Sequence, residues 1–451
     1  MATIPAPPSS EEAKRPARLA WLVGATRAPA LEPQEWRVLG LVSVATLFGQ
    51  YDRAIFVLAL PQIQDGLGIA EGQLGVLGAI VQLGALPAFG IALAADRFGR
   101  RRVLIASIVA YTLVTGLTMF APDTRSFVAL QFLAAALTQA ESLVAIVVIS
   151  ETLPAAHRGW GIGALFAVQA LGVGLAALLL PLVRLADDAW RVLYGLGLLP
   201  LLLLAWWRRG LPETKRFARL QSERVAGTPS APAGQGGPLR SLVQAYPHRL
   251  ALLCGAVFLL AASGAAADFF AVKYLQEANG WSPGDVTMLF LGGGALGLAG
   301  GITAGRLGDR LGRRRAAVLF SLALAVLALL FYQSPGPWVA PCWVLMVFAL
   351  LGTDALFATY GAELFPTSHR TTAAGVRMLV ATGAGVLGLA TESLLYGWLG
   401  SHWSAISLLL CGLLLVPVVA AVGFPETAGR TLEEIAPERS CPRTLLEEES
   451  R

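Results

Sequence analysis

Asp52 and Arg53 stand side by side in the segment GQYDRAIFVL, near the middle of an apolar run over 37–60. A charge inside a membrane span costs roughly 2.5–3.5 kcal/mol on insertion scales, so an acid–base neighbour pair there calls for a reason. Gln50 and Tyr51 precede the pair. Ser43, Thr46, Gln50 and Arg53 follow one another at helical spacing and are expected to line one face. Asp52 lies about 100° round the helix from Arg53 and is expected to face a neighbouring helix instead. A carboxyl in a poorly hydrated setting can change protonation near neutral pH, and a guanidinium can anchor an anion. The chemistry suggested is proton exchange and anion binding, not bond-making.

Other apolar runs carry isolated acids. Glu141 falls in 126–150 and Asp268 in 249–275, the latter nearly at the repeat position of Asp52. At 1.5 Å per residue, Asp52 sits about 22 Å and Glu141 about 13 Å from one membrane side, a separation that suits a relay through water. Asp354 and Glu392 are weaker candidates, and Lys273 and Arg377 read as span-end residues that snorkel. Histidine occurs only at 157, 248, 369 and 402, and Cys254, Cys342, Cys411 and Cys441 show no paired spacing. No metal, cofactor, nucleophile–base set or nucleotide loop is indicated, which leaves an enzyme without support.

The elements that must position these residues are membrane helices. Of 451 residues, 55% are hydrophobic, only 14% are charged and 49 are glycine. A soluble chain keeps about a quarter charged, and glycine suits close helix packing in lipid. A spanning helix needs roughly 20 apolar residues. The spacing predicts spans over 37–60, 73–95, 103–121, 126–150, 160–183 and 192–208, then 249–275, 284–306, 316–334, 337–361, 373–398 and 402–423. The sixth is short. The predicted organisation is a tail over 1–36, a six-helix half over 37–208, a polar linker over 209–248, a second half over 249–423 and a tail over 424–451. The first tail does not read as a secretory signal. Loops on the side of both tails hold 28 of the 34 Lys and Arg, so both termini are expected to be cytoplasmic.

Three motifs recur in order. ADRFGRRR returns as GDRLGRRR, with Asp309 213 positions after Asp96; ETLPAAHR returns as ELFPTSHR, and LPETKRF as FPETAGR, with Glu426 213 after Glu213. Nearly one offset across three motifs, 213, 212 and 213, indicates two homologous halves in parallel. These residues resemble the major facilitator superfamily, in particular its sugar-porter and metabolite–proton symporter branch. Gly305, Leu307, Asp309, Arg310, Gly312, Arg313 and Arg314 match the loop signature in full. The first copy departs at Ala92 and Ala94 but keeps Asp96, Arg97, Gly99, Arg100 and Arg101. FPETAGRTLEEI is typical of that branch. AASGAAADFFAVKYLQ lacks the Gln-Gln and Asn of the sugar porters, while YDRAIFVLALPQI and QAES are similar to metabolite–proton symporters, whose substrates are mostly small organic acids and zwitterions.

The resemblance implies an all-α fold of twelve transmembrane helices in two pseudo-symmetric halves, in a cell membrane, probed by a small-molecule substrate and a proton, with no nucleic acid and as a monomer. Asp52, Arg53, Gln50, Tyr51, Glu141 and Asp268 are the coupling or substrate candidates. It also implies a cytoplasmic gate built from Asp96, Arg97, Gly99, Arg100, Arg101, Glu151, Arg158 and Glu213, and from Asp309, Arg310, Gly312, Arg313, Glu363, Arg370 and Glu426. The alternatives are export of a hydrophobic compound and a non-transporting nutrient sensor on the same fold.

Overall fold

In the computed structural model, residues 29–154, 157–186, 188–207, 238–334, 336–428, 430 and 432–435 are described. Most of both predicted tails and of the linker, with Glu213 and Cys441, lies outside the described residues. All described regular structure is helical. The first half comprises α1 (Pro33–Leu58), α2 (Leu74–Leu83 and, after a turn at Gly84 to Pro87, Ala88–Phe98), α3 (Arg100–Met119), α4 (Thr124–Thr152), α5 (Arg158–Leu179) and α6 (Trp190–Trp207). The second comprises α7 (Pro247–Lys273), α8 (Pro283–Leu311), α9 (Arg313–Gln333), α10 (Val339–Glu363), α11 (Thr367–Leu399) and α12 (His402–Leu410 and Leu415–Gly423).

Among the described residues, eleven helices are long and apolar enough to cross a membrane, and α6 supplies a shorter apolar helix at the sixth place. Within the predicted linker a helix forms at Pro238–Ala245. The ends follow local signals. Asp123 and Ser282 cap α4 and α8 with reciprocal capping boxes. Gly99 and Gly312 stop α2 and α8 at φ 99° and 100°, in a region open only to glycine.

Glycine explains how the helices within each half come together. A Cβ on Gly172 of α5 would meet Leu47 O of α1 at 2.2 Å, and one on Gly84 of α2 would meet Phe132 O of α4 at 2.3 Å. In the second half, Gly388 of α11 meets Ala262 O of α7 at 2.0 Å and Gly300 of α8 meets Phe348 O of α10 at 2.1 Å on the same test. Gly300 and Phe348 each follow their counterparts by 216 positions. Backbone against backbone at these crossings is thus a repeated feature of the two halves, and it extends the repeat beyond the three charged motifs.

Candidate functional site

The α1 cluster divides as its helical spacing predicts. Asp52 is buried at 3% exposure, whereas Arg53 is accessible. The charge of Asp52 acts on Tyr51, Tyr111 and Tyr194, a half-ring of phenols from α1, α3 and α6. The Asp52 Oδ1 atom and the Tyr194 hydroxyl are buried without hydrogen-bond partners. Tyr51 donates to Leu193 O at 2.8 Å, so its hydroxyl holds α1 to α6. Tyr111 donates to Phe48 O at 3.0 Å. The Asp52 carboxyl keeps a side-chain hydrogen bond with Tyr111, and a buried carboxylate with one oxygen left unsatisfied is costly to keep charged.

Glu141, also buried, reaches the same region from α4. It lines a cavity of about 10 Å³ with Thr46, Gly49, Tyr111 and Thr138, room for about one water. Tyr111 therefore joins the wall of this cavity to Asp52, which is the kind of connection a relay needs. Along that face Ser43 and Thr46 are buried within the first half, Gln50 is half-buried and Arg53 is accessible.

Arg53 looks toward the second half. Its charge acts on Asp268 of α7, which acts in turn on Asp354 of α10; Asp354 is within range of Arg377 on α11. Arg53, Asp268 and Asp354 are accessible although surrounded by protein, as groups lining a space between the halves must be. Two neighbouring carboxyls thus lie across that space with a guanidinium on either side. Arg377 belongs to this line rather than to a span end.

On the face bearing the termini, the second-half motifs interlock. Arg313 bridges Asp309 at 3.0 Å and Glu363 at 3.3 Å, and Thr427 donates to Glu363 at 2.6 Å. Glu426 accepts from the backbone N–H groups of Arg313 at 2.7 Å and Arg314 at 3.3 Å, so it caps α9. A Cβ on Gly312 would lie 2.4 Å from Glu426 Oε2, a second reason for glycine there. Arg310 is exposed and Arg370 half-buried. In the first half, Arg101 is exposed and Glu151 half-buried, while the side chains of Asp96, Arg97, Arg100 and Arg158 lie outside the described residues. Burial alone would push the Glu426 carboxyl up, but the backbone N–H groups of Ala428, Arg313, Arg314 and Thr427 outweigh it and hold the group below 4.5. A folded value below the unfolded one means stability present above about pH 4.5 and lost as pH falls through the folded value. Glu426→Gln is expected to lower stability by about 1 kcal/mol at neutral pH and to make no difference in strong acid. Melting curves of both proteins between neutral and acid pH check this.

The opposite face carries the polar contacts that cross between halves. Lys273 is fully buried and contacts Gln64 at 2.5 Å, Glu71 at 3.1 Å and Glu277 at 2.5 Å, which corrects its reading as a snorkelling residue. Gln62 donates to Gln276 at 2.7 Å, Ser393 to Gly72 O at 2.5 Å, and Thr287 of α8 to Ala177 O of α5 at 2.6 Å. His402 contacts Glu392 and Glu71. Sequence reasoning passed over His402 and Glu71. The available signal was their place at span ends on one side, polar residues where lipid-facing helices emerge.

A family model described as the Major Facilitator Superfamily matches residues 42–271 and 252–440. The chain belongs to the Major Facilitator Superfamily. It is accordingly a multi-pass protein of the cell membrane, built for transport. Among superfamily relatives, it is 26% identical over 420 residues to the probable 4-methylmuconolactone transporter of Cupriavidus pinatubonensis, covering 89% of this chain and 93% of that one. It is also 26% identical to the cis,cis-muconate transport protein of Acinetobacter baylyi, covering 82% and 89%. A solved D-xylose-proton symporter superimposes with a TM-score of 0.70 at 16% identity, over 88% of this chain and 99% of that one, a likeness of fold.

Proposed function

We propose that this chain is a proton-coupled symporter of a small organic acid, working by alternating access with twelve spans and both termini in the cytoplasm. The observation that carries the reading is the split of Asp52 and Arg53. One helix turn presents a buried carboxyl with one unsatisfied oxygen to the first half and an accessible guanidinium to the space between the halves. The carboxyl exchanges the proton, with Glu141 and Tyr111 beside it. Arg53 anchors the substrate carboxylate, and Arg377 stands across Asp268 and Asp354 for a second acidic group. The names of the relatives, which move a muconolactone and muconate, support an acid or its lactone as cargo.

In this reading the terminus-bearing face is the cytoplasmic gate. The interlocked Asp309, Arg313, Glu363 and Glu426 set would pair with first-half counterparts Asp96, Glu151, Arg158 and Glu213 when that side closes. Exposed pairs contribute about 0–1 kcal/mol each, and moving a two-state carrier from 1:99 to 99:1 takes roughly 5.5 kcal/mol, so several must act together. The protein acts as a monomer, since each chain contains both halves.

The test is uptake of radiolabelled cis,cis-muconate and simple aromatic acids by proteoliposomes under an imposed inward proton gradient. Accumulation of at least one acid that collapses when a protonophore is added is the expected result. Uptake indifferent to the gradient would remove the coupling claim.

A further inference from the structure

At the face away from the termini, His402 is held between carboxylates of different halves. Its Nδ1 lies 2.5 Å from Glu392 Oε1, and its Nε2 lies 3.0 Å from Glu71 Oε2. The ring is stacked on Tyr396 at 4.1 Å and on Phe270 at 4.6 Å between centroids, which fixes the direction of both nitrogens. A bare ring nitrogen and a carboxylate oxygen both accept, so each contact needs a hydrogen between its atoms. A neutral imidazole brings only one. The closed arrangement therefore holds one proton more than a neutral ring between two ionised carboxylates.

The setting adds to this count. Glu392 is fully buried, and its Oε2 has no hydrogen-bond partner. That oxygen is pressed toward Gly75 of α2, where a Cβ would lie 2.4 Å from it. Glu71 precedes α2 and belongs to the first half; His402 and Glu392 belong to the second. Separation of the halves here takes Glu71 from the ring and Gly75 from Glu392, and admits water to both. Around the triad stand Gln64 and Glu71 from the first half, Lys273, Tyr274 and Glu277 from the end of α7, Tyr332 from α9, and Ser393 and Tyr396 from α11. Glu71, Glu277 and Glu392 outnumber Lys273, and one added proton reduces that imbalance.

We propose that Glu71, His402 and Glu392 form a proton-operated latch between the halves, which takes up one proton when this face closes and gives it back when the face opens. The proton is exchanged with water on this side and is separate from the one assigned to Asp52. Acid on this side favours closure, and uptake of one proton changes the closed-to-open ratio by up to about tenfold per pH unit. The latch rests on the alternating-access reading, but its test needs no substrate. Transport that fails to appear with every acid tried would leave that measurement untouched.

The experiment places spin labels at Arg125→Cys and Gln333→Cys, exposed positions of the two halves at this face, in full-length protein with its native cysteines replaced by serine. Distances are read in nanodiscs from about pH 5.5 to about pH 8. The short-distance population is expected to grow on acidification with a slope approaching tenfold per pH unit. Glu392→Gln and Glu71→Gln each supply an amide N–H to the ring, remove the need for the second hydrogen, and are expected to flatten the slope while keeping both populations. Asp52→Asn is expected to retain it. A flat wild type, a slope that survives in both carboxamide variants, or its loss in Asp52→Asn would each overturn the latch.

Discussion

Asp52→Asn is expected to abolish uphill transport while leaving exchange intact. A symporter that moves one proton per acid can accumulate its cargo roughly tenfold per unit of pH difference, the equivalent of 1.36 kcal/mol. Asparagine keeps the shape of the side chain and can hydrogen-bond to the surrounding phenols, but it cannot carry the proton across. Accumulation should fall to the equilibrium level, close to onefold. Counterflow of labelled against unlabelled acid should continue, because it needs only the substrate contacts and the movement of the halves. Loss of counterflow as well, with an unchanged melting temperature, would move Asp52 from coupling to binding. Unchanged accumulation would pass the role to Glu141, the buried carboxyl on the other side of Tyr111.

Arg53→Gln carries the second large expectation. A charge-assisted contact to a carboxylate contributes about 1.5–3 kcal/mol, so the affinity for an acid substrate should weaken roughly ten- to hundredfold. Arg53→Lys should fall between, since an ammonium keeps the charge but loses the planar fork. Calorimetric titration of the purified protein reads this directly. A wild-type affinity accompanied by a lower melting temperature would assign Arg53 to its partner Asp268, as a tie between α1 and α7.

Much of this was legible in the residues. Composition demands membrane helices, and nearly one offset between charged motifs demands two halves. The different directions of Asp52 and Arg53, about 100° apart, follow from helical spacing alone. The residues that escaped were those whose meaning depends on packing between distant segments. Lys273 stands at a span end, where a lysine ordinarily reaches for water. Only the approach of Gln64 and Glu71 from the other half turns it inward. His402 is the first residue of its helix, directly after a loop, and its two carboxylates are 10 and 331 positions away. No local pattern links such groups. Arg377 was similarly set aside, because its nearness to Asp354 arises from how α10 and α11 cross.

The glycine crossings have a bearing on how cargo can change. Where α1 meets α5, α2 meets α4, α7 meets α11 and α8 meets α10, main chain rests on main chain with no space for one more carbon. Helices seated that way cannot slide past one another to fit a larger or smaller guest. Adjustment is left to the seam between the halves, where side chains such as Lys273, Gln62, Thr287, Ser393 and His402 make the polar contacts. Fit to the cargo and rigidity of the scaffold are thus written in different residues. A change of diet need alter only the seam, and the machinery that moves it can stay as it is.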